Sequence, residues 1–110
     1  MKYKSKWTLE AVRSLDEILD YIIENDGKTI AEKIYNKIRT KVTLLEASPL
    51  QGREVKELNS IKKEYLELIV KPWRIIYTID NEIINILLVV DSRRDLEELL
   101  YDMIINIDLP

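Results

Sequence analysis

The sequence predicts an α+β fold, in which an antiparallel helical hairpin packs over one face of an antiparallel β-sheet. Two observations carry this. Apolar residues recur at steps of three and four in two successive segments before Pro49, the signature of amphipathic helices. From Tyr65 the pattern changes to short runs rich in Ile, Val, Leu and Tyr, separated by turn residues, which reads as strands. At 110 residues, with 46% hydrophobic and 34% charged side chains, the chain is one domain with enough apolar matter for a single core.

The elements follow in order. Lys2-Tyr3-Lys4-Ser5-Lys6-Trp7 alternates at period two, a half-buried strand whose lysines form the solvated face and discourage edge pairing. Thr8 is placed to cap a helix that carries Glu10 in its first turn. Its apolar stripe runs Val12, Leu15, Leu19 and Ile22, widened by Ile18 and Ile23. Asn25-Asp26-Gly27 ends it, with Gly27 supplying a left-handed residue. Thr29 caps a second helix with the stripe Ile30, Ile34, Ile38, Val42 and Leu45, and the short connection makes the pair antiparallel. Pro49 and Gly52 close that helix and open a loop.

Tyr65–Val70, Trp73–Asp80 and Ile83–Val90 are the strands of a three-stranded antiparallel meander, joined at Lys71-Pro72 and Asp80-Asn81-Glu82. The last is almost wholly apolar, as expected of a central strand covered on both faces. A short C-terminal helix begins at Ser92 or Asp95, with Glu97 and Glu98 in its first turn and Leu96, Leu99, Leu100 and Met103 on its apolar face. The tail continues Ile104-Ile105-Asn106-Ile107. It is a docking face for the sheet or a patch that awaits a partner.

Composition excludes much chemistry. The chain has no cysteine, hence no disulfide framework or thiolate metal site, which fits a reducing compartment. It has no histidine, which removes the usual near-neutral base, the His-containing triads and most zinc sites. No cofactor and no metal is expected. Without a signal-like N-terminus or an apolar run long enough for a bilayer, a cytoplasmic protein with no membrane association is expected. The formal net charge of −3 and the pI near 5.1 argue against nucleic acid as the main partner.

The most informative residues are cations. Arg74 stands alone in an apolar strand, and Arg93-Arg94 follow where the next strand runs out. Burying an unpaired guanidinium is costly, so each needs a partner. Either they form an anion clamp, or they bridge to Glu67 or Asp91 as structural ion pairs.

In order and spacing, the Gly52-Arg53 loop with Glu57-Leu58, the strand ending Arg74-Ile75-Ile76-Tyr77, and Arg93-Arg94-Asp95-Leu96 resemble the RelE/ParE superfamily of type II toxin–antitoxin, or plasmid stabilisation, toxins. The resemblance runs from about Lys2 to Leu100. It implies that the first strand joins the sheet, and that a cognate antitoxin neutralises the chain by wrapping it, for which Leu100, Met103, Ile104 and Ile107 are the candidate contacts.

Two kinds of action are implied. In the RelE branch, ribosome-dependent mRNA endonucleases, Arg74, Arg93 or Arg94 and Tyr101 would be catalytic, with Lys56, Lys62, Lys63 and Lys71 available to the phosphate backbone. There a preorganised cation would meet developing negative charge. Tyr101 would act as general base, its pKa of about 10 lowered by cations. In the ParE branch the toxin holds DNA gyrase and needs no catalytic residue.

Three departures disfavour the nuclease. Trp73 stands for the usual tyrosine before Arg74, Asp91-Ser92 replaces His-Gly before the arginine pair, and Leu66 replaces an arginine in the Tyr-x-Glu strand. Together with the long helices and acidic pI they favour ParE-like binding of gyrase over action on the ribosome and mRNA. A diverged fold that binds an antitoxin without toxicity is the third reading.

Overall fold

The computed structural model describes residues 3–56 and 64–92. The chain runs β1 (Lys4–Trp7), α1 (Leu9–Asp26), α2 (Lys28–Ala47), a 3₁₀ turn (Pro49–Gln51), β2 (Arg53–Glu54), β3 (Leu66–Val70), β4 (Trp73–Asp80) and β5 (Ile83–Asp91). The strands form one sheet in the order β1-β5-β4-β3-β2. The meander β3-β4-β5 is antiparallel and β1 joins it parallel to β5. The two-residue strand β2 lies within the expected loop. Since β1 and β4 flank β5, β5 is interior, and β4 takes the middle of the sheet.

The helices cover one face. Ala11 and Leu15 of α1 and Ile38, Val42 and Leu45 of α2 pack on Leu68, Ile75, Tyr77, Ile84, Ile86 and Val89. Two stripes differ by one residue from the expected ones. Ala11 and Ala31 are buried, whereas Val12, Ile23 and Ile30 are exposed. Alanine lets helix and sheet backbones approach closely, so the small residue takes the contact and its larger neighbour is displaced about 100° around the helix.

Thr8 caps α1 as expected, accepting from the Ala11 N–H at 3.1 Å. Its hydroxyl also donates to the Ile86 carbonyl at 2.9 Å, while its own N–H reaches the same oxygen at 3.0 Å. Beyond Trp7 the parallel partner of β5 has run out, and Thr8 and Ser14 continue its hydrogen bonding. The Val89 N–H donates to Ser14 Oγ at 3.0 Å, just past Leu87, the extra residue of the irregularity opposite Ile76 and Tyr77. Replacing Thr8 by alanine therefore removes a cap and a tie to the sheet. A loss of about 1–2 kcal/mol is expected, read as a lower urea midpoint with unchanged slope.

The expected cap at Thr29 is a correction. α2 begins at Lys28, Thr29 lies inside it, and Gly27 serves both as C-cap of α1 and N-cap of α2. Its φ of 94° suits glycine and little else, so one residue turns the chain where a longer linker was expected. The Gly27 N–H closes α1 onto the Ile22 and Ile23 carbonyls. At the outer side of β1, Glu46 Oε2 accepts from the Ser5 N–H (2.9 Å) and hydroxyl (3.1 Å), which occupies an edge that would otherwise attract another strand. The C-terminal helix expected from Ser92 or Asp95 lies outside the described residues. Among the described residues no helix is long and apolar enough to cross a membrane.

Candidate functional site

The face of the sheet away from the helices carries the cation cluster. The Lys71-Pro72 turn sets the register of β3 and β4 so that Ile69 faces Arg74 and Glu67 faces Ile76. Glu67 and Arg74 are thereby diagonal neighbours on one face, within reach of long side chains. Glu67 is 3% exposed. Its Oε1 accepts from Arg74 Nε at 2.5 Å and its Oε2 from Arg53 Nε at 2.8 Å. The two arginines differ sharply in setting. The Arg74 side chain is 11% exposed and the Arg53 side chain 68%. Arg74–Glu67 is thus a buried pair in which each charge needs the other, while Arg53 is a solvated third member that contributes little.

Of the two partners considered for Arg74, Glu67 makes the bridge. Around it lies an open concavity of about 590 Å³, lined by Arg53, Lys56, Glu67, Ile69, Lys71, Pro72, Arg74 and Ser92. Arg74, Lys56 and Lys71 are brought together here. Arg93, Arg94, Tyr101, Lys62 and Lys63 lie outside the described residues, as do Leu100, Met103, Ile104 and Ile107.

The loop bearing Arg53 is held by a lock that the sequence analysis did not anticipate. Tyr77 is fully buried. Its hydroxyl donates to the Pro49 carbonyl at 2.8 Å and accepts from the Gly52 N–H at 3.0 Å, fixing both ends of the 3₁₀ turn. A Cβ on Gly52 would fall on Tyr77 Oη and lie 2.6 Å from the Glu67 carbonyl oxygen, so only glycine lets the loop come this close. The signal was present in the sequence: a tyrosine at an inward position of a core strand needs a partner for its hydroxyl.

Burial pushes the Tyr77 phenol above 10.0; the Gly52 N–H partly offsets this and the Glu64 charge adds to it. The folded state then holds this proton more tightly than the unfolded chain. Stability is accordingly full below pH about 10 and declines as pH rises through the folded value, by at most about 1.4 kcal/mol per pH unit for one proton. Urea titrations between pH 8.5 and 11 are expected to show this decline, and Tyr77→Phe to flatten part of it.

A second groove, of about 820 Å³, lies between α1 and the ends of β4 and β5. Ile18, Ile22, Trp73 and Val89 are among its apolar lining, and Glu10, Glu17 and Asp26 contribute acidic groups.

Comparison with known proteins is decisive on kinship. Residues 5–96 match the family described as the ParE toxin of the type II toxin–antitoxin system parDE. The chain belongs to the ParE toxin family. Toxin ParE3 of Caulobacter vibrioides is 30% identical over 82 residues, which are 74% of this chain and 79% of that protein. Among solved structures, the chromosomal ParDE toxin–antitoxin system from P. aeruginosa contains a similar chain, with a TM-score of 0.68 and 23% identity over 81% of this chain and 95% of that one. That likeness shows the shared fold. This ParE-family chain is thus a toxin of a toxin–antitoxin system, as its motifs implied.

Proposed function

We propose that this ParE-family toxin arrests growth in the cytoplasm by binding DNA gyrase, without chemistry of its own, and that a cognate antitoxin neutralises it. The observation that carries this reading is the commitment of Arg74 to Glu67. A cation that is to stabilise a phosphoryl transition state has to be aimed at the developing charge. Here the Nε of the strand arginine is aimed at a buried carboxylate instead, which explains the residue as architecture. The long helices (18 and 20 residues) and the acidic balance support the same reading. The acid-flanked apolar groove beside α1 supports a partner that lays down an amphipathic segment, in keeping with an antitoxin.

One observation favours ribosome-dependent mRNA cleavage as a second reading: Arg53, Lys56, Lys71 and Arg74 line one concavity. The assay that separates the two incubates the purified chain with gyrase and supercoiled or relaxed plasmid, and in parallel with translating ribosomes and mRNA. Loss of supercoiling with accumulation of cleaved plasmid is expected, with mRNA intact. Codon-positioned mRNA cuts with gyrase unaffected would reverse the assignment. Inactivity in both assays, together with unimpaired growth on expression, would leave a non-toxic, antitoxin-binding protein.

A further inference from the structure

We infer that the concavity beside β3 is a docking site for an extended acidic segment of a partner protein. The inference does not depend on which macromolecule the toxin inhibits. Four cations and one carboxylate line this concavity, in a chain whose formal net charge is −3. Positive charge is therefore concentrated here against the overall balance, and the site attracts anions. Arg74 is bound to Glu67, so the cations on offer to a ligand are the exposed ones, Arg53, Lys56 and Lys71.

The backbone supplies the shape. β2 pairs with β3 only at Glu67 and Leu66, and the Val55 N–H extends the ladder to the Tyr65 carbonyl. Ile69, in phase with Tyr65 and Glu67, turns its N–H and C=O to the same outer side. Among the described residues none pairs with it there. A strand laid along this edge would meet the Ile69 backbone and, at alternate positions on the far face, Arg53 and Lys71. Nucleic acid fits less well. No aromatic side chain lines the concavity for a base to stack on, and the acidic chain as a whole repels a polyanion at longer range.

The test uses the full chain and three probes at low ionic strength: a capped Glu-Val-Glu-Val-Glu peptide, its Lys-Val counterpart, and a single-stranded RNA 12-mer. The acidic peptide is expected to bind and the basic one not. Lys56→Glu/Lys71→Glu, at two exposed positions, is expected to weaken binding at least tenfold while thermal unfolding stays unchanged. N-methylation of the central residues of the peptide is expected to weaken it at least threefold, because a strand needs its N–H groups. The inference is overturned if the acidic peptide does not bind, if the double variant binds it undiminished, or if the RNA binds as tightly as the peptide. Self-association of the chain that the same double variant abolishes would assign the concavity to a second copy and overturn it likewise.

Discussion

Glu67→Ala is expected to destabilise the fold by about 3–5 kcal/mol, the largest effect of any single polar substitution here, because it strands the Arg74 guanidinium in a buried setting. Loss of Arg53 from the same carboxylate is expected to cost under about 1 kcal/mol, since that arginine is mostly solvated. The contrast is diagnostic, as the two bonds have similar geometry and differ in burial. Replacing both partners by apolar residues, Glu67→Met with Arg74→Met, is expected to recover most of the loss, since no charge is left unpaired. Urea unfolding of the four variants at pH 7 measures each term. Similar losses for Glu67→Ala and Arg53→Ala would show that burial does not govern the cluster.

Gly52→Ala is expected to cost about 3 kcal/mol, large for the addition of one methyl group to a loop. The new carbon meets two atoms at once, and one of them, the Glu67 carbonyl oxygen, belongs to the backbone of a paired strand. The loop can relieve the overlap only by moving out, which breaks the Tyr77 bonds to Gly52 and Pro49 and leaves a buried hydroxyl unsatisfied. Tyr77→Phe removes the same bonds without the overlap and is expected to cost about 1–2 kcal/mol. A Gly52→Ala cost no larger than that of Tyr77→Phe would mean that the loop yields freely.

Much of this was legible in the sequence, because period and turn chemistry are local properties. The change of period at Tyr65 and the spacers Lys71-Pro72 and Asp80-Asn81-Glu82 gave the meander, and with it the register that puts Glu67 and Arg74 on one face. Two features depend on tertiary approach and carried no local signal. Which of two adjacent apolar residues is buried, Ala11 or Val12, is decided by how near α1 comes to the sheet. The direction in which β1 joins β5 is decided by the path of the two helices between them. The Tyr77 lock links positions 25 and 28 residues apart, so only the fold brings its partners together. Of the candidate site, Arg74 and its carboxylate partner were readable, whereas Arg53 was visible only as part of a motif and not as the second arginine on Glu67.

The most direct measurement is growth arrest by the doubly apolar variant Glu67→Met/Arg74→Met, expressed without antitoxin and first confirmed to be folded. If the strand arginine is architecture and the toxin works by binding, this variant still stops growth and still blocks gyrase supercoiling. A folded variant that has lost both activities would contradict the structural role assigned to Arg74 and return it to the chemistry of the toxin.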